Sequence, residues 1–219
     1  MTHAAVASRD RDISAETLTL GVAGFAAVLG GETLGQVAGE DGVPKAMRRR
    51  MSSYDLNVAR CVIGLSTQDA AEDIVLASRY GNMQLTQDLL VQLVGRELLS
   101  PAKFSMSVHN AAAGISSLIT GNKGGHTAVS AGGRSLQAGL TEAWTRLQAG
   151  QQTVLLVFSD MPMSAPYDAF DEGGPGVQLA VRLTLSAAGD IAPAGHGRLG
   201  AADLARALAA GAGGIAWRP

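Results

Sequence analysis

Residues 18–29 read Leu-Thr-Leu-Gly-Val-Ala-Gly-Phe-Ala-Ala-Val-Leu, apolar almost throughout and closed by Gly30-Gly31. The run falls well short of the roughly 20 residues that a membrane-spanning helix needs. A short apolar run stopped by a glycine pair predicts a buried central strand entering a glycine-rich turn. Such a strand needs cover, and the composition says what kind. Of 219 residues 47% are hydrophobic, 28 are glycine and only nine are Phe, Tyr or Trp. A core of Ala, Val and Leu at close approach suits layered α/β packing better than an aromatic-rich β-sandwich.

The same numbers exclude other classes. A disordered chain needs low hydrophobicity and high net charge, whereas the net charge here is −2. That charge also supplies no global field for nucleic acid. Cys61 is the one cysteine, so neither a disulfide framework nor a Cys-cluster zinc site is available. The segment Met1–Asp12 mixes both charge signs without an apolar run, unlike a secretory signal. The expectation is a soluble, cytoplasmic chain forming one domain over 1–219, with 1–15 a flexible terminus.

Periodicity predicts the remaining elements. Helices are expected over Lys45–Leu65, Gln84–Leu98, Ser135–Gln148 and Leu199–Ala210, the last followed by a Gly-rich tail. Strands are expected at Ile74–Ser78, Thr127–Ser130, Thr153–Phe158 and Val177–Ser186, the last with one exposed face. The Ala/Gly/Ser-rich stretch Val108–Ile119 reads as a helix lying in a crowded interface. This order predicts a mostly parallel, five-stranded sheet covered by helices.

Motifs for common chemistries are missing. No G-x-G-x-x-G follows the first strand, and Gly121-Asn122-Lys123-Gly124-Gly125 is not a phosphate-binding loop. No G-x-S-x-G nucleophile elbow occurs. Of His3, His109, His126 and His196, only His109 and His126 are site candidates, and for either of them a satisfied structural histidine is the favoured reading. No His/Cys/Asp/Glu spacing suggests a metal. Arg48-Arg49-Arg50 reads first as a solvated helix face or a set of structural ion pairs, and second as a cluster that could pair an anionic ligand. Cys61, among Val58, Val62 and Ile63, reads as a buried, inert thiol.

Three stretches together carry a resemblance. They are Arg48-Arg49-Arg50-Met51-Ser52, Ala77-Ser78-Arg79-Tyr80-Gly81, and Leu99 through Gly114, which contains Ser107-Val108-His109-Asn110-Ala111-Ala112-Ala113-Gly114. Over about Leu18–Phe158 the chain resembles the N-terminal half of the β-ketoacyl synthases, condensing enzymes of the thiolase fold. The third stretch is similar to the short chain length factors of aryl polyene pigment clusters. The resemblance implies a thiolase-like half-domain. In that family a nucleophilic cysteine sits at a strand-to-helix turn, in a pattern like V-S-T-A-C-S-S. Here the stretch reads Val129-Ser130-Ala131-Gly132-Gly133-Arg134-Ser135, and Gly133 falls where the cysteine belongs.

The resemblance therefore implies no catalytic residue, no metal and no cofactor. The family's catalytic histidines belong to a second half-repeat, which this sequence does not contain, and a sheet layer left open by that half is expected to need a partner's cover. The implied role is a non-catalytic subunit paired with a full-length β-ketoacyl synthase, with acyl carrier protein presented through the complex and neither nucleic acid nor membrane involved. Phe104, Met106 and His109 are implied to line the acyl tunnel. Val108, Asn110, Ala113, Gly133 and Arg134 are implied at the tunnel or the subunit interface, with the small residues Ala111–Ser117 allowing close approach. Two other readings stay open: an acyltransferase using Ser130 or Ser135 with His109, and a homodimeric acyl-binding module.

Overall fold

The computed structural model describes residues 17–67, 71–171, 174–186, 191–192 and 199–219. The expected flexible terminus, His3 and His196 lie outside these residues. The apolar run forms strand β1 over Leu18–Leu29, with the bounds its composition predicts. Gly30 and Gly31, at φ +58° and +96°, reverse the chain into a short β2, Glu32–Gly35. Both glycines adopt left-handed backbone that L-residues with a Cβ avoid, so the turn depends on them.

The other strands are β3 (Asp73–Ala77), β4 (His126–Val129), β5 (Val154–Asp160), β6 (Val177–Thr184), β7 (Ile191–Ala192) and β8 (Gly214–Trp217). They lie in the order β4-β3-β5-β6-β1-β8-β7, with β2 beside β1. The α/β class stands, and the sheet is larger than five strands and mixed. β3 runs parallel to β4 and β5, and β7 to β8. β1 is antiparallel to β2, β6 and β8, as is β5 to β6.

Seven helices accompany the sheet among the described residues: α1 (Lys45–Arg48), α2 (Ser53–Leu65), α3 (Met83–Val94), α4 (Pro101–Met106), α5 (Ala111–Thr120), α6 (Ser135–Gln148) and α7 (Ala201–Ala209). Strand alternation sends Leu155 and Val157 to one core with Val58, Cys61 and Val62 of α2. It sends Val154, Leu156 and Phe158 to a second core with Leu136 and Leu140 of α6 and Leu204 and Leu208 of α7. Both faces of the sheet are thus covered by the chain's own helices, which corrects the expectation of an open layer. For the same reason β6 is buried on both faces from Val177 to Val181.

Two further expectations change. The helix predicted over Lys45–Leu65 is divided at Ser52, whose hydroxyl accepts the Asp55 N–H at 3.2 Å while the Asp55 carboxylate accepts the Ser52 N–H at 3.2 Å. This capping box starts a new helix where apolar periodicity alone continued the old one. The tail predicted after α7 contains β8, with Ile215 and Trp217 fully buried and the Trp217 Nε1–H donating to Thr141 Oγ1 at 3.2 Å.

α2 lies hard against the segment after β2. A Cβ on Gly64 would sit 1.5 Å from the Gln36 carbonyl oxygen, a backbone atom. Overpacking of this kind costs about 1–3 kcal/mol or more. Gly64→Ala is therefore expected to lower the urea unfolding midpoint despite alanine's better helix propensity; an unchanged midpoint would mean that α2 can move away freely.

Candidate functional site

The β3-to-β4 crossover runs through α3, α4 and α5 on the α2 side, and the β4-to-β5 crossover runs through α6 on the other. The carboxyl ends of β3 and β5 therefore open a crevice where successive connections depart in opposite directions, the usual ligand position in open α/β sheets. A pocket of about 280 Å³ lies there, walled by Arg79, Gly133, Ser135, Asp160, Asp171 and Gly200, among others. Gly132, at φ +54°, and Gly133 form a single 3-10 turn that leads into α6.

The pocket is polar and internally tied. Asp160 ends β5 and accepts the Ser78 hydroxyl at 3.0 Å and the Arg79 N–H at 2.8 Å. The Arg79 guanidinium Nε lies 3.6 Å from the other Asp160 oxygen and stacks over Tyr80, 5.4 Å from the ring centre. Burial pushes the Asp160 carboxyl above the ordinary carboxylate range, against the opposing pull of these hydrogen bonds and of the Arg79 charge. A carboxyl whose pKa rises on folding stabilises the fold fully below its unfolded value, about 4. That contribution is lost as pH climbs through the folded value. Relative to Asp160→Asn, the wild-type chain is expected to lose stability as pH climbs above about 4, measured as the difference in thermal midpoints. A constant difference would show that Asp160 titrates as if unfolded.

Neither serine of the acyltransferase reading meets a histidine. Ser135 Oγ donates to the Gly132 carbonyl at 2.7 Å and accepts the Ala131 N–H at 3.0 Å, and Ser130 Oγ donates to the Arg79 carbonyl at 3.0 Å. His109 packs against Gly81, where a Cβ would lie 2.8 Å from its ring, and its buried Nε2 has no hydrogen-bond partner. A serine nucleophile needs a base within hydrogen-bonding reach. Cys61 is fully buried, and burial pushes its thiol up to about 12, which leaves it protonated and inert.

A second, larger cavity of about 910 Å³ lies between the α1–α2 junction, α3, α4 and α5. Met47, Met51, Leu85, Met106 and Ile115 make it apolar, and Arg49, Arg50 and Lys103 stand around it. Of the residues expected at a tunnel, Met106 is on this wall. Phe104, on the same short helix, points away and is 61% exposed. Val108, Asn110 and Arg134 are exposed, Gly133 is half-buried in the other pocket, and His109 lies at neither cavity. The small-residue face expected to receive a partner packs inside the chain instead. Ala112, Ala113 and Ser116 are buried, the two alanines in one core with α2. A face of Ala and Ser fits a near neighbour of either kind, and here the neighbour is intramolecular.

Asp160, Met47, Leu85 and Ile115 were not among the expected site residues, whereas Arg49 and Arg50 on the cavity wall belong to the Arg48–Arg50 run. Asp160 had a signal, a carboxylate ending the buried run Val154–Ser159. Leu85, Met47 and Ile115 had none beyond ordinary helical spacing. Among the described residues no group of three or more His, Cys, Asp or Glu could hold a metal ion. Nor is any helix among them long and apolar enough to cross a membrane.

Residues 35–211 match the family of the β-ketoacyl synthase N-terminal domain, and the chain belongs to that family. Solved structures agree on the fold. One is a ketosynthase (ApeO) in complex with its chain length factor (ApeC) from Xenorhabdus doucetiae, with TM-score 0.73 and 23% identity over 89% of this chain and 92% of the matched one. The ishigamide ketosynthase/chain length factor matches with TM-score 0.61 and 16% identity over 76% of this chain and 62% of that one. A type II polyketide acyl carrier protein in complex with its ketosynthase (AntDE:AntF) matches with TM-score 0.56 and 11% identity over 77% and 63%. This chain thus spans under two thirds of the latter two. No curated protein matches significantly.

Proposed function

We propose that this chain is a non-catalytic, chain-length-factor-like subunit that pairs with a full-length β-ketoacyl synthase and shapes the space for its growing acyl chain. The observation that carries the reading is Gly133 at the turn into α6. The family puts its nucleophile there, and glycine offers no atom on which an acyl-enzyme could form. The fold match to a chain of the ApeO–ApeC complex extends over about nine tenths of both chains, so the two are of similar length. Exposed apolar side chains support pairing: Val91 and Val94 on α3, Phe104 on α4 and Leu118 on α5 are 61–85% exposed. So does β4, which among the described residues is an edge strand without a neighbour on its outer side. The Met106 cavity is the space into which the chain would extend, and acyl carrier protein would deliver substrate to the synthase.

Gly133→Cys tests the non-catalytic part. Among the described residues no histidine lines the pocket at Gly133. A thiol installed at the helix start would thus have amide donors but no imidazole to assist decarboxylation. The variant is expected to release no more carbon dioxide from a malonyl thioester than wild type. Release above that level would show that only the nucleophile was missing.

A further inference from the structure

The stripe of α6 that lies beside β4 takes no part in the Gly133 argument or in the Met106 cavity. Arg134, Gln137, Thr141 and Thr145 recur along it at helical spacing and, with Val129 and Ala131, line a groove of about 500 Å³. Val129 is the last residue of β4, so the groove continues the edge that this strand leaves open among the described residues.

Two groups in the groove lack the partner that their chemistry calls for. Gln137 is 6% exposed, and its Oε1 accepts no hydrogen bond. The Thr141 hydroxyl gives its one proton to the Gln137 backbone carbonyl at 2.9 Å and accepts the Trp217 indole N–H at 3.2 Å, so it has nothing to donate to Oε1. A buried amide oxygen left without a donor destabilises the fold by its lost hydration. Arg134 is exposed and enters no ion pair among the described residues. Glu142, the acidic side chain in the lining, is held by Arg146 Nε at 2.8 Å. It also lies eight residues along the helix from Arg134, about 12 Å by the α-helical rise.

Oε1 calls for a donor and Arg134 for an anion. An extended peptide with an acidic side chain offers both, as a main-chain N–H and a carboxylate. Strands that add to an open edge take affinity from main-chain bonds and specificity from side-chain pockets beside the edge.

We infer that this groove selects the segment of the synthase partner that adds to β4, Gln137 Oε1 accepting an N–H from it and Arg134 pairing with an aspartate or glutamate on it. The inference rests on the pairing reading and deepens it by naming the chemistry of the partner segment.

Gln137→Met keeps the length of the side chain and removes its amide. The isolated variant is expected to unfold about 2–4 °C higher than wild type, because an unpaired buried polar group is gone. Its Kd for the cognate full-length ketosynthase, read by calorimetric titration, is expected to rise at least tenfold. A damaged fold would not move these two readings in opposite senses. Arg134→Gln, on an exposed side chain, is expected to leave the thermal midpoint unchanged, to weaken pairing about fivefold and to flatten the dependence of Kd on salt. Wild-type affinity in either variant would overturn the inference and leave pairing standing. A lower thermal midpoint for Gln137→Met would make that side chain structural and overturn it too. No pairing by wild type would overturn both readings.

Discussion

Substitution of Ala128 by proline is expected to weaken pairing with the proposed synthase partner while leaving the chain's own fold intact. Among the described residues β4 is an edge strand, paired in parallel with β3 alone. Ile74 N–H donates to the Gly125 carbonyl at 2.9 Å and Ser78 N–H to the Val129 carbonyl at 3.2 Å. In a parallel ladder alternate residues face the neighbour, so 125, 127 and 129 bond to β3 while His126 and Ala128 turn their backbone groups outward. Proline lacks the N–H and is tolerated on the solvent side of an edge. The chain's own stability should change by less than about 1 kcal/mol. A partner strand added at this edge would lose a hydrogen bond worth about 1 kcal/mol and would meet the ring itself. Together these should weaken the pair by about 3 kcal/mol, roughly a hundredfold in Kd. Light scattering on the co-purified pair reads the result. A variant that pairs like wild type would show that the partner docks elsewhere.

The second large effect concerns product length. If the growing chain extends into the cavity at Met106, filling that wall should make the partner enzyme stop earlier. Met106→Trp is expected to shorten the main product by at least one two-carbon unit, and Met106→Ala to lengthen it. Each methylene buried contributes about 0.8 kcal/mol, so a cavity with room favours the next unit. Forcing hydrocarbon into filled space costs about 1–3 kcal/mol, enough to change product ratios several-fold to a hundredfold. Phe104→Ala is the control. Its side chain is exposed away from the cavity, so total activity is expected to fall with weaker pairing while the length distribution stays unchanged. A distribution that ignores both Met106 substitutions would remove the cavity from the growing chain's path.

The elements that were legible in the sequence are those whose burial is continuous. β1 keeps the bounds of its apolar run, and α6 those of its Leu136, Leu140, Trp144 and Leu147 spacing. Where a polar group rather than apolar spacing decides, the pattern misleads. Ser52 breaks a helix through two reciprocal hydrogen bonds inside an unbroken apolar rhythm. β8 offers only Gly-Ile-Ala-Trp, too short to show alternation, although it fills the sheet beside β1. Strand direction is a property of the crossings, so the antiparallel return of β6 against β5 could not be read from β6 itself. The site divides in the same way. The Gly132-Gly133 turn into α6 was visible because a contiguous motif surrounds it. The amphipathic cavity was not, because its wall draws on residues near 47–51, 85–88, 100–106 and 115, which no single motif brings together.

The most direct test is native mass spectrometry of the chain mixed with its cognate full-length ketosynthase and an acyl thioester, followed by intact-mass measurement of each subunit. A one-to-one assembly with the acyl group on the synthase and none on this chain is the predicted result. Two separate proteins, or an acyl group bound covalently to this chain, would contradict it.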